Sequence, residues 1–501
     1  MKYRLYLNED VYFDIFFNDD GTYKVDDYGN GFADTVKVSY ENGRIEVSAL
    51  GKKIGHFSWE SDHIFYYASY YTTGVEIRSY NDARARQKNS EDINDQIENV
   101  ARLRKGGIGV SYHSQTEMHT HFIEMLPGED FLNVLFSMFP EVPDIPVGED
   151  GHLIGYLGID EDGNRLPVEH YVNGFVPLGS NQALYLAREL ELPLTKQFPF
   201  TELSAANSRR NNLIEYVARQ LKKTKYTDKS IGDIKAIIFS KLLVASLELL
   251  KAQGIKYTEI SYSNDSTIKK MLALLDPEVL ELIDFSILLS ANRQRFKNVD
   301  YVKETKKNLR SLLKRGLVRG FDLMGEEKPF DGNDFNYKDP TSFASFVDYV
   351  VPLLNGYEDS VLRLHMGENQ NSYTNPLDSL RIIAEVVEKH TLTIPPPYIR
   401  LGHAVHFDYS KSTEYLKILQ DLGVVIEINA SSNYSISSIK NLLQIPYAFY
   451  RKNGIPVVLA SDGAGAHRTT VRQEDFIGET MDPELPTFLQ TSEQQPGVIK
   501  K

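Results

Sequence analysis

A strand–helix rhythm through the second half of the chain limits what it can fold into more than any other feature. Short apolar runs of strand length recur at 285–289, 318–323, 361–366, 399–403, 424–428 and 456–462. Stretches of helical spacing, such as 377–390 and 412–423, lie between them. Two earlier alternating runs, one carrying His119 and His121 and one at 255–260, bring the candidate strands to eight. Strands alternating with helices pair in parallel, because each helix returns the chain to the same edge of the sheet. The fold class expected is therefore α/β, a TIM-like (β/α)8 barrel.

In such a barrel, chemistry gathers where strands hand over to loops. Polar residues fall at that edge in unit after unit: His121, Asn292 with Arg293, Gly325 with Glu326, His365 with Glu368, His403, Asn429 and Asp462. The run Leu362-Arg363-Leu364-His365-Met366-Gly367-Glu368 delivers an imidazole and, three residues on, a carboxylate. A metal ligand and a proton carrier at that offset suit hydrolysis. His119 and His121 stand at i and i+2, so on a strand both rings share one face and can grip one cation. The chain has no cysteine, which leaves imidazoles and carboxylates as the available metal ligands. A net charge of −14 argues against a nucleic-acid surface. No apolar run approaches the roughly 20 residues of a membrane span. The N-terminal Met1-Lys2-Tyr3-Arg4-Leu5 alternates like a strand and lacks a signal peptide's apolar region, so a cytoplasmic location is expected.

Residues 1–80 alternate apolar with polar positions between turn clusters such as Asn18-Asp19-Asp20-Gly21 and Asn42-Gly43. They read as a small antiparallel β domain, either a structural cap on the barrel or a sensor or oligomerisation module through which copies of the chain pair. Residues 81–113 read as a charged helical linker, and 114–501 as the barrel with an insertion at about 127–253. Within the insertion, hairpin chemistry around Asp150-Gly151 and 160–163 suggests a β lid, followed by helices at 181–191, 208–222 and 231–253. Pro483, Pro486 and Pro496 interrupt the stretch after Asp462, so the helices that close a barrel are expected to be short or missing.

Taken in order, these motifs resemble the adenosine/AMP deaminase family of metal-dependent amidohydrolases. Met118-His119-Thr120-His121 resembles its first-strand metal pair, and His365-Met366-Gly367-Glu368 its His-Ala-Gly-Glu. Arg400-Leu401-Gly402-His403 resembles Arg-Ile-Gly-His, Ser461-Asp462 the eighth-strand metal aspartate, and Asp322-Leu323-Met324-Gly325-Glu326-Glu327 the Asp-Leu-Ala-Gly-Asp-Glu run. The resemblance implies that His119, His121, His365 and Asp462 hold one zinc ion per chain. It implies that Glu368 gives a proton to purine N1, and that His403 orients and polarises the attacking hydroxide. Asp462 or His403 would shuttle the proton for departing ammonia, and Gly325 would approach the base through its backbone. The expected activity is hydrolytic deamination of an adenine nucleoside or nucleotide to the inosine-type product. No lysine stands at the exit of the fourth strand, against a dinuclear carboxylated-lysine site.

Two positions depart from the family pattern. Gly463 stands where a second aspartate contacts purine N7, and Ile123 where an aspartate reaches the ribose 5′-hydroxyl. Losing the latter contact leaves room for a 5′-phosphate. The reading from another class is a catalytically silent, nucleotide-binding regulatory scaffold, which Gly463 and the interrupted C-terminal stretch favour.

Overall fold

The computed structural model describes six strands between residues 2 and 58, and residues 114–501 apart from 140, 142, 161–164, 193–196, 393–396, 441, 483, 496, 497 and 499–501. The expected helical linker at 81–113 lies outside the described residues, as does the end of the N-terminal β unit beyond 58. The strands Lys2–Tyr6, Tyr12–Phe17 and Tyr23–Asp26 form one antiparallel sheet, and Lys37–Glu41, Arg44–Ala49 and Lys52–Ser58 another. In the second sheet Glu41 pairs with Arg44.

From residue 116 onward eight parallel strands pair in chain order, and we number these alone: β1 (Thr116–His121), β2 (Tyr257–Tyr262), β3 (Asp284–Asn292), β4 (Gly320–Met324), β5 (Val361–Met366), β6 (Tyr398–His403), β7 (Val425–Ile428) and β8 (Val457–Leu459). The end of β1 meets the chain just past β8. The His121 amide donates to the Asp462 carbonyl at 2.7 Å, and the Asp462 amide donates to the His119 carbonyl at 2.9 Å. The seam of the barrel thus joins the histidine pair to the aspartate by backbone alone.

Alternation sorts each strand between two environments. Leu362, Leu364, Leu401 and Ile426 are buried in the main apolar cluster that the helices cover. The intervening Arg363, Arg400 and Glu427 are equally buried but meet ionic partners. Arg400 donates to both oxygens of Glu259 at 2.5 and 3.0 Å and to Glu427 at 3.1 Å. Arg363 Nε lies 2.8 Å from Glu427 and its Nη1 3.5 Å from Asp322, while Arg319 also reaches Glu259. Three guanidinium groups matched by three carboxylates fill the space that most barrels fill with aliphatic layers.

The insertion is largely helical. Strands Ile145–Val147 and Gly174–Val176 pair antiparallel, and the helices Asn181–Arg188, Phe200–Thr224 and Ile231–Ala252 follow. The middle helix begins eight residues before the expected 208, directly after Pro199. The last starts on a reciprocal cap between Ser230 and Asp233. In the C-terminal stretch the closing helices are present, though short. Helices Val471–Met481 and Leu485–Glu493 close the barrel, with Val471, Ile477, Leu485 and Leu489 buried against it. Pro486 sits in the first turn of the second helix, where its missing N–H costs nothing and its fixed φ starts a helix rather than ending one. Among the described residues no helix is long and apolar enough to cross a membrane.

Candidate active site

The register of β1 against β2 slips between Thr258 and Ile260, which marks a bulge. Met118 drops into a small cluster with Tyr257, Val425 and Val458, and the next residue, His119, turns its ring toward β5 and β7. His119 Nδ1 bonds Glu427 Oε2 at 2.9 Å, and His365 Nδ1 lies 3.1 Å from Asp322 Oδ1. A carboxylate beside Nδ1 keeps the proton on that nitrogen and leaves Nε2 with a bare lone pair. The two Nε2 atoms nevertheless face each other at 3.0 Å, and His121 Nε2 stands 3.1 Å from that of His365. Asp462 Oδ1 lies 3.1 Å from His121 Nε2 and 3.5 Å from His119 Nε2. Lone pairs and a carboxylate aimed at one point repel unless a cation lies among them. These four donors, all within 4.8 Å of one another, therefore fit a divalent metal. Burial above all lowers His365 to about 4, whereas His119, in spite of its burial, is raised to about 9 against the Asp462 and Glu427 carboxylates.

Close packing holds the rings in place. A Cβ at position 402 would stand 2.5 Å from His119 Cε1, so the residue beside that ring must be glycine. Asp462 and His403 both have left-handed backbones, with φ of 65° and 69°. Such strain in residues with side chains persists where the surroundings over-determine the conformation, commonly at functional sites. The second Asp462 oxygen accepts from Ser432 Oγ at 2.6 Å.

Beside the four donors stand two proton carriers. Glu368 Oε1 lies 3.6 Å from His403 Nε2, and both come within 4.8 Å of an Asp462 oxygen. Burial, then the nearby Asp462 and Glu327 carboxylates, push the Glu368 carboxyl up to about 8. Burial holds His403 well below its ordinary value, and its Nε2 is buried with no hydrogen-bond partner. The turn that carries Glu368 hangs on Glu327, whose carboxylate accepts from the amides of Gly367 at 3.2 Å and Glu368 at 3.1 Å and from Asn375 Nδ2 at 2.9 Å.

These groups open into a cavity of about 520 Å³ lined by His121, Glu124, Asn207, Gly325, Glu368 and Asp462, among others. Of the seven residues singled out in the sequence, His121, Gly325, His365, Glu368 and Asp462 line this cavity, while His119 and His403 are fully buried beside it. Sequence reasoning assigned no role to Asp322, Glu327, Glu427 and Ser432, which hold the others. For Glu427 a signal existed: a charge in mid-strand within Val425-Ile426-Glu427-Ile428 has no reason to be buried without a partner. Ser432 offered none, because its contact depends on how a loop folds back.

No protein-family model matches this chain, and no curated protein matches it. Among solved structures it is similar to an N6-mAMP deaminase of Arabidopsis, at 16% identity over 76% of this chain and 92% of that one, with a TM-score of 0.46. Arabidopsis ADAL in complex with IMP is similar at 17% identity over 76% and 90%, TM-score 0.46. An adenine deaminase from Arthrobacter aurescens follows at 14% over 75% and 88%, TM-score 0.42. Two of the three are deaminases by name.

Proposed function

We propose that this protein is a metal-dependent hydrolytic deaminase of an adenine nucleotide. The reading is carried by one observation: three imidazole nitrogens and the Asp462 carboxylate converge beside Glu368 and His403 at the barrel mouth. A divalent ion there, zinc being the default for this donor set, supplies the Lewis acidity that makes water a nucleophile near neutral pH. The chain's own residues supply the proton traffic. Glu368, protonated when substrate arrives, donates to the ring nitrogen next to the carbon under attack. His403 Nε2, neutral and unpartnered, receives a proton from the attacking water and passes it, with Asp462, toward the departing amine. As the C–N bond breaks and the carbonyl forms, ammonia leaves and the second proton of the water returns to Glu368, so the adenine-type base becomes the hypoxanthine type. Gly325, at the cavity wall, meets the base through its backbone.

A second cavity, of about 790 Å³, favours a phosphorylated substrate over a bare nucleoside. It shares Asn292 and Met324 with the first and is lined by Arg165, Arg219, Lys235 and Arg295 against a single acid, Glu215. Glu215 is ion-paired to Arg219 and Lys235, so Arg165 and Arg295 are the cations this cleft turns toward an anion, on a chain of net charge −14. The silent-scaffold reading loses one of its two supports, since the closing helices are present.

The test is ammonia release from adenosine, AMP and ATP by metal-loaded protein, with turnover fastest on a phosphorylated form. A protein that binds metal stoichiometrically yet converts none of them is not a deaminase of adenine compounds.

A further inference from the structure

Glu124 is a buried carboxylate of the mouth that the chemistry above leaves idle. It ends the single turn Phe122–Glu124 that follows β1, is 6% exposed, and lines the cavity beside His121. Its backbone is pinned: its carbonyl accepts from the amides of Gly465 at 2.8 Å and Ala466 at 3.0 Å, and Arg210 donates to the carbonyls of Ile123 and Leu126 on either side. Its Oε1 accepts from Asn207 Nδ2 at 2.5 Å. Its Oε2 is buried with no hydrogen-bond partner, and so is Asn207 Oδ1 next to it. A buried carboxyl oxygen without a partner costs several kcal/mol unless a ligand completes it. The chain also makes room for this side chain. A Cβ at position 463 would lie 2.5 Å from Glu124 Oε2 and 2.6 Å from its Cβ, so the residue after Asp462 is a glycine on which the glutamate rests.

We infer that Glu124 reads the five-membered ring of the purine, its Oε2 making a hydrogen bond with N7, and that Gly463 exists to seat it. This rests on the deaminase reading and specifies how that site holds its base. The direction follows from topology. Glu124 leaves β1 and Glu368 leaves β5, which stand opposite each other in an eight-stranded ring. A purine whose N1 faces Glu368 and whose C6 lies over the four metal-binding residues turns N7, on the other side of C6, toward the wall that carries Glu124. Burial opposes ionisation of this carboxyl, in keeping with a donor to an unprotonated ring nitrogen.

The experiment compares kcat/KM for the best adenine substrate with that for its 7-deaza analogue, using metal-loaded full-length protein. Wild type is expected to favour the adenine compound by about ten- to a hundredfold, the worth of one buried hydrogen bond. Glu124→Ala should bring the adenine compound down to the level of the 7-deaza analogue. Glu124→Gln, isosteric and still able to donate, should keep most of the discrimination. Both variants should retain wild-type metal content. Equal rates on the two compounds in wild type, discrimination surviving in Glu124→Ala, or metal loss from Glu124→Gln would each overturn the assignment. A wild-type protein inactive on every adenine compound is a different result, which removes the deaminase reading and this inference with it.

Discussion

Behind His119 stands Glu427 and behind His365 stands Asp322, and each carboxylate decides what the far nitrogen of its ring can do. Removing one leaves the ring free to change tautomer and turn its proton toward the metal position. Glu427→Gln should therefore weaken metal binding by about ten- to a hundredfold, as read by competition with a chelator of known affinity, and should also lower stability because Glu427 pairs with Arg363 and Arg400. In the proposed mechanism Glu368 works on substrate rather than on metal. Its Gln variant should bind metal like wild type but lose about 10²–10⁴ in kcat, and full activity in that variant would refute the proton-donor role. At this scale the departures at Ile123 and Gly463 become connected. The strand exit that lacks an acid at 123 provides Glu124 one residue later, and its side chain occupies the space above 463.

The closing helices are tied to the start of β1 and to the loop after β7 by buried acids. On helix Val471–Met481, Asp475 accepts from the Ser114 amide at 3.0 Å, and Glu474 accepts from the Ala430 amide at 2.9 Å and lies 2.7 Å from Thr469 Oγ1. At the end of helix Leu485–Glu493, Glu493 accepts from Gln115 N at 3.0 Å and Thr116 Oγ1 at 2.7 Å. Burial pushes Glu474 and Glu493 up to about 7 and Asp475 to about 6. Each keeps its proton in the folded chain after the unfolded chain has lost it, so the folded state binds more protons and stability falls as pH rises. The contribution is complete below the ordinary carboxyl values near 4 and is lost as pH passes about 7. Tm should therefore decline from pH 5 to pH 8, and Glu474→Gln, which mimics the protonated acid, should flatten that decline. A Tm that climbs over this range in wild type would contradict the assignment.

Across the whole molecule, the ionic barrel interior is a support that trades stability for position. Arg319, Arg363 and Arg400 all converge on Glu259, and Glu427 and Asp322 complete the charge balance of the barrel interior. Breaking such a cluster by removing one partner leaves charge uncompensated in a dry interior. Glu259→Gln should cost about 3–5 kcal/mol in denaturant unfolding, far more than a surface acid would. The cationic cleft acts on the same scale, since its residues come from the insertion, including helices Phe200–Thr224 and Ile231–Ala252, and from the β3 exit. Arg295, stacked on Tyr301 at 4.1 Å, contributes charge there rather than packing alone. Arg295→Ala should lower kcat/KM for AMP or ATP by about tenfold and leave adenosine unchanged, a split that a merely structural role would not produce.

The sequence by itself determined the barrel and the inventory of its mouth. Strand and helix periods are local properties of the chain, and His119, His121, Gly325, His365, Glu368, His403 and Asp462 each sit at a strand exit that those periods mark. Strand ends and the closing helices were less legible, because a proline means one thing inside a helix and another in its first turn. Only the tertiary structure decided which carboxylate stands behind which imidazole, that the β1 bulge and Gly402 let the His119 ring in, and that Glu124 lies over Gly463. These are contacts between strands distant in sequence, set by register, bulges and left-handed backbone turns, and a one-residue slip in any of them would aim the side chain elsewhere.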